Sequence, residues 1–253
     1  MKSFSELPVT LVYELGKHAP NLRNVNRLTR YLVKGKLIVV DIYNEDDATA
    51  LVHELSKEVT DVNPKRLKVI CMWKRIVDVS VFGGVHYLSL SWCENVTDVS
   101  ALGGVHYLVL WGCTGVTDVS ALGGVHRLNL QGCEYVSDVS ALDGVHDLNL
   151  ACCKRVTDVS MLGGVHHLNL VNCKKVSDVS MLGGVHQLDL TGCKNVTDVS
   201  ALGGVHHLNL WDCTSVTDVS ALGGVHYLVL LKCTGVSKES IDAIRGSVKE
   251  LVE

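Results

Sequence analysis

Residues 105–124 read VHYLVLWGCTGVTDVSALGG. The same stretch returns at Val85, Val125, Val145, Val165, Val185, Val205 and Val225, with no insertion between copies. Eight consecutive starts at one fixed period of twenty make a repeat architecture the first reading. The common form is V-H-x-L-x-L-x-x-C-x-x-V-[TS]-D-V-S-[AM]-L-G-G. One such unit cannot bury its own apolar edge, whereas stacked units bury it against their neighbours.

Within a unit, Leu108 and Leu110 alternate with Tyr107, Val109 and Trp111. Period two predicts a short strand with the leucines on one face. Val116, Val119 and Leu122 recur every third residue, in a segment too short for a long helix, so a turn or a piece of 3₁₀-helix is expected there. Gly84 and its equivalents through Gly224 are glycine in every copy, which points to a backbone angle that a side chain would forbid. The position before it is Asp143 in one copy. Stacking places the strands about 4.8 Å apart in a parallel sheet, with Val, Leu and Cys packed inside and the other sheet face open.

The segment V-x-x-L-x-L-x-x-C resembles the leucine-rich repeat, with Cys where many members of that family carry Asn. The resemblance runs from Val85 to Val236, with a partial copy from Ile76. It implies an α/β solenoid: a leucine-rich-repeat arc with a parallel β-sheet on the concave face, 3₁₀ or turn return segments, and helical N- and C-terminal caps. The V-T-D-V-S return is similar to that of internalins. The chain also resembles F-box-like repeat proteins encoded by large DNA viruses of amoebae.

A length of 253 residues suffices for a substantial core. The net charge of −4 gives no global attraction to nucleic acid or to an anionic membrane. No run of eighteen apolar residues occurs, so no membrane span is expected. The opening MKSFSELP lacks the apolar run of a signal peptide, and the expected location is intracellular: cytoplasm or nucleus, in a host cell if the source is viral. Eight of the ten cysteines, from Cys93 to Cys233, share one repeat position. A buried ladder of free thiols is expected. Zinc needs four converging ligands, which a linear ladder does not supply, so no cofactor or metal is expected.

Four segments follow. Residues 1–35 carry Leu7, Leu11 and Leu15, then Leu22, Val25, Leu28 and Leu32, which predicts two short amphipathic helices. Leu7, Pro8, Leu11, Leu15, Leu22, Val25, Arg27, Arg30 and Leu32 resemble a shortened F-box, with Thr29 at the usual Trp position. That likeness implies a ubiquitin-ligase scaffold as a partner of residues 1–35. The alternative is that these helices shield the open end of the solenoid. Residues 36–75 read as degenerate first repeats, with a strand in KLIVVDI, a convex helix over 44–58, and a second strand at Leu67, Val69 and Cys71. Residues 76–236 are the regular repeats. Residues 237–253 predict a capping helix with Ser237 at its start and Ile241, Ile244, Val248 and Leu251 on one side.

Function is expected where the copies differ. The first outward strand position is Tyr87, Tyr107, Arg127, Asp147, His167, Gln187, His207 and Tyr227. Val109 stands at the second, and Trp111 and Trp211 at the third. The family resemblance implies a protein partner on this concave face, and aromatic residues are favoured anchors. Asn129, Asn149 and Asn169 are expected to bond sideways as a ladder. The row His86 to His226 is expected to bond backbone groups between coils, and the row Asp78 to Asp218 to cap the return turns. Lys154, Arg155, Lys174, Lys175 and Lys194 form a basic ridge that reads as a solvated edge, and nucleic acid is not an expected partner. No nucleophile elbow, phosphate loop or zinc-protease motif occurs, so the chain is not expected to be an enzyme. The sharper reading is the substrate-recognition adaptor of a ubiquitin ligase. Its rival is a structural or assembly protein, such as a virion component, that uses the solenoid as a stiff spacer.

Overall fold

The structure is a computed structural model and describes residues 38–42, 67–71 and 74–253. The F-box-like segment, the convex helix over 44–58 and Trp73 lie outside the described residues.

Among the described residues eleven parallel strands form one sheet in sequence order, from β1 (Ile38–Ile42) and β2 (Leu67–Cys71) through β3 (Tyr87–Ser89), β4 (Tyr107–Val109) and β5 (Arg127–Asn129) to β10 (Tyr227–Val229) and β11 (Glu250–Val252). From β3 to β10 each strand starts twenty residues after the last, with β6 (Asp147–Asn149), β7 (His167–Asn169), β8 (Gln187–Asp189) and β9 (His207–Asn209) in between. The register keeps equivalent residues side by side, so Leu88 pairs with Leu108 and Leu108 with Leu128. Pairing continues beyond the strands, where Leu110 N–H donates to Asn129 C=O at 2.8 Å. The described residues thus form a solenoid of parallel strands joined by short return turns, the fold that the repeat resemblance implies.

Seven positions of each coil point inward. In the coil of β4 they are Val105, Leu108, Leu110, Cys113, Val116, Val119 and Leu122, all buried. Removing this much apolar surface from water is the main stabilising term, at about 25 cal/mol per Å². The cysteines sit in this core with their thiols aimed at the preceding coil. Cys113 Sγ donates to Leu90 C=O at 3.0 Å, and the pattern continues to Cys233 and Leu210 at 2.9 Å. A small apolar residue with one weak donor serves there because each of those carbonyls would otherwise keep a lone pair facing the core.

The return segments are 3₁₀ turns such as Ser120–Gly124. Asp118 Oδ1 accepts from Ser120 N–H at 2.8 Å, and the same bond recurs along the Asp row, as expected. The glycines differ from expectation. None of the glycines equivalent to Gly124 has positive φ. Their role is close approach: a Cβ on Gly123 would lie 2.3 Å from Ala141 O, and one on Gly124 would lie 3.1 Å from Gly103 O. The coil that carries Asp143 adjusts locally. Its 3₁₀ turn stops at Leu142, and a Cβ on Gly164 would stand 3.7 Å from Asp143 O. The left-handed position lies just before each ladder cysteine: Gly112, Gly132 and Gly192, but also Trp92, Cys152, Asn172, Asp212 and Lys232.

The C-terminal end also differs. Helix α1 spans only Lys238–Ile244, with Ser237 Oγ accepting from Ser240 N–H at 3.2 Å. Ile244 and Val248 are buried, but Val248 lies past the helix on the way to β11. β11 pairs with β10, Leu228 facing Leu251, so a strand rather than a helix covers the last regular edge. This pairing satisfies N–H and C=O groups that the β10 edge would otherwise leave unpaired.

Candidate functional site

Alternation puts the copy-specific residues on the face opposite the leucine core. They line a trough of about 480 Å³ running from Tyr107 to Tyr227, with Arg127, Asp147, His167, Gln187 and His207 along it. Tyr87 adjoins Tyr107 at the β3 end.

The middle row is the floor of this trough, and here expectation fails in part. Val109 is buried, as are Ser89 and Val229, so Val109 offers little exposed apolar surface. The Asn row is likewise not chiefly a sideways ladder. Asn129 Oδ1 accepts from Gln131 N–H at 2.9 Å, and Asn149, Asn169 and Asn209 repeat this bond. Asx bonds of this kind satisfy the N–H groups where each strand ends. Asn149 Nδ2 also reaches Gln131 Oε1 at 3.5 Å, and Asn209 Nδ2 reaches Asp189 Oδ2 at 3.4 Å.

Aromatic side chains gather at both ends. Tyr87 and Tyr107 meet edge to face at 4.8 Å, with the Lys68 ammonium 4.2 Å from the Tyr87 ring. Trp111 is 40% exposed and lies 5.2 Å from Trp92, which is 43% exposed. Trp92 escaped the sequence reading because it sits outside the alternating positions, at the left-handed residue after the strand. At the far end His207 lies 5.8 Å from Tyr227, while Trp211 is exposed beneath the Lys232 ammonium at 5.5 Å.

The middle of the trough is polar and charged. Arg127 Nε bonds Asp147 Oδ2 at 2.6 Å. The other carboxylate oxygen, Oδ1, takes His146 Nδ1 at 3.0 Å and a closer contact from His167 Nδ1. Burial raises the Asp147 carboxyl, but the bonds from His167 and His146 and the Arg127 charge outweigh it and hold it below the ordinary carboxylate range. Sequence reading placed these residues in separate rows and missed the cluster. The available signal was the adjacency of His146 and Asp147 with a second histidine twenty residues on.

The rings of the His row form a stack. Neighbouring rings from His86 to His226 lie 4.4 to 4.8 Å apart. The bonds between coils come from the backbone, as in His146 N–H to His126 C=O at 3.0 Å. Burial first, then the neighbouring imidazoles, pushes His166 and His206 below the ordinary histidine value. The basic ridge is partly neutralised: Lys154 pairs with Glu134 at 2.6 Å, Lys194 pairs with Asp212 at 2.9 Å, and Arg155 lies over the Tyr135 ring at 4.6 Å.

No family model matches the chain, and no curated protein matches it. Among solved structures the chain is similar to an internalin (inlF) from Listeria monocytogenes str. 4b F2365. The identity is 17%, covering 83% of this chain and 82% of that one, with a TM-score of 0.47. It is similar to the functional domain of InlJ from Listeria monocytogenes, described as including a cysteine ladder, at 16% identity over 71% of this chain and 45% of that one, with a TM-score of 0.45. It is also similar to an internalin C2 (inlC2) from Listeria monocytogenes str. 4b F2365, at 18% identity, 68% and 82% coverage and a TM-score of 0.47.

Proposed function

We propose that the chain is a non-enzymatic scaffold that binds a protein partner along the trough. The observation that carries this reading is the contrast between rows. Seven core positions per coil stay nearly constant, while the trough positions vary from coil to coil and the third outward row adds exposed Trp111 and Trp211 in the coils of Tyr107 and His207. A rigid surface with large aromatic anchors and a polar centre has the composition of a protein-recognition face.

Affinity capture with the full chain tests this. Proteins held by the unaltered chain should be lost when Trp111→Ala and Trp211→Ala are combined. Retention of the whole set by that variant overturns the reading and favours a stiff spacer that uses other surfaces. The adaptor reading rests on Leu7, Pro8 and the spaced leucines that follow them. For it, a ubiquitin-ligase scaffold should be captured by the unaltered chain and lost with Leu7→Ala and Pro8→Ala. Capture of assembly or capsid-type proteins alone supports the structural rival.

A further inference from the structure

We propose that His146, Asp147 and His167 bind a divalent transition-metal ion on the open face of the sheet. Their ligand atoms, one from each residue, all lie within 4.8 Å of one another. Adjacent strands fix this convergence: Asp147 and His167 are direct partners in the β6–β7 register, and His146 immediately precedes Asp147.

The chemistry selects the ion. Two imidazole nitrogens and one carboxylate oxygen suit zinc and its late first-row neighbours rather than calcium or magnesium, which prefer all-oxygen shells. At metal–ligand distances of about 2.0–2.2 Å, tetrahedral ligand atoms stand about 3.3 Å apart. His146 Nδ1 is 3.0 Å from Asp147 Oδ1 and His167 Nδ1 is closer, while all three ligand atoms lie within 4.8 Å, so admitting an ion means opening the two carboxylate contacts and drawing the widest pair together. The ion would replace the protons now shared between the imidazoles and the carboxylate.

The surroundings are built as a supporting shell. Arg127 holds Asp147 Oδ2 at 2.6 Å, which fixes the carboxylate and leaves Oδ1 for the ion. Its positive charge also opposes cation binding, so weaker binding than at a structural zinc site is expected. The His166 ring lies 4.4 Å from His167 and 4.7 Å from His146, limiting their rotation. Of the eight regular copies this one alone has an acidic residue at the first outward position. The repeat therefore supplies the imidazole row, and one copy-specific substitution supplies the anion that turns part of it into a chelating set. Three protein ligands leave at least one position open toward the trough.

The test is calorimetric titration of the chelator-treated full chain with zinc chloride at pH 7.5, repeated with cobalt chloride and followed by visible absorption. One ion per chain is expected. Asp147→Asn, which keeps size and shape, should weaken binding at least about tenfold, and His167→Ala should do the same. His207→Ala, in the same row but remote from the carboxylate, should leave binding unchanged. Unchanged urea midpoints for Asp147→Asn and His207→Ala make the comparison one of ligands rather than folding. Equal zinc affinity in Asp147→Asn overturns the proposal. So do several equivalent ions per chain, which would place binding on the His row as a whole, and a thiolate-to-cobalt charge-transfer band, which would place the ion in the cysteine ladder.

Discussion

Gly103 shows how a single atom is excluded by the stacking of coils. A Cβ there would lie 2.3 Å from Ala121 O, a backbone atom that cannot swing aside. Gly103→Ala should therefore lower stability by roughly 1–3 kcal/mol, the range for an overpacked site. Asp143→Gly should raise it by restoring the regular coil, and urea midpoints measure both. The glycine pair was legible as a constraint in the sequence, but its cause was not. Sequence shows which position refuses a side chain, not whether the backbone angle or a neighbouring carbonyl refuses it. The cysteines were easier to read, because one position recurring in every copy between buried leucines has a single environment. The Cys113 thiol is buried and pushed up to about 12 by that burial, while Cys152 is only half-buried. With a thiol reagent at mildly alkaline pH, Cys152 should react first and Cys233, half-buried at the end of the ladder, second. The other ladder thiols should wait for denaturant. Rapid native labelling across Cys93 to Cys213 would contradict the buried ladder.

At the scale of elements, period-two alternation of the leucines determined the strands, and the spacing of Val116, Val119 and Leu122 determined the 3₁₀ turns. Both rest on local periodicity, which a sequence carries openly. The C-terminal segment was legible only as far as Ser237 and the apolar residues after it. Pairing of Glu250–Val252 with β10 depends on an edge well upstream, which no pattern inside the segment reveals. Two roles can be separated here. Ser237→Ala removes the helix cap and should cost about 0.5–2 kcal/mol. Hydrogen exchange should show that loss first in α1 and β11 and last in the central coils, since each coil contacts mainly its neighbours. Equal loss of protection along the whole sheet would contradict that picture.

The molecule as a whole carries a stacked imidazole row, which makes its stability depend on pH. His206 is pushed below the ordinary value by burial, then by His226, His186 and His207, and by the Lys249 charge; His166 is lowered in the same sense. The unfolded chain then binds more protons than the folded one once pH falls below about 6.5, the unfolded value. This stabilisation is complete above that pH and is lost as pH falls toward the lower folded value. The Asp row works in another window. Asp98, Asp118 and their equivalents are lowered by hydrogen bonds from serine, so their contribution is lost only below the ordinary carboxylate range and is intact at about pH 5.5. The urea midpoint should thus be lower at about pH 5.5 than at about pH 7.5, and an equal or higher value would contradict the lowering of His166 and His206.

What the sequence left hidden at this scale is how rows combine. The His row, Asp147 and Arg127 were visible separately, but their meeting depends on the register of adjacent strands and on side-chain rotamers. The inward and outward assignment of those strands supports everything above, and adjacent residues test it. Leu110 is fully buried, whereas Trp111, one residue on, is 40% exposed. Equilibrium urea unfolding of the two alanine variants is the most direct measurement. Leu110→Ala should lose roughly 2–5 kcal/mol, and Trp111→Ala should stay within about 1 kcal/mol of the unaltered chain. If Trp111→Ala unfolds the protein while Leu110→Ala leaves it intact, the strand register is wrong by one residue and the trough is not the open face.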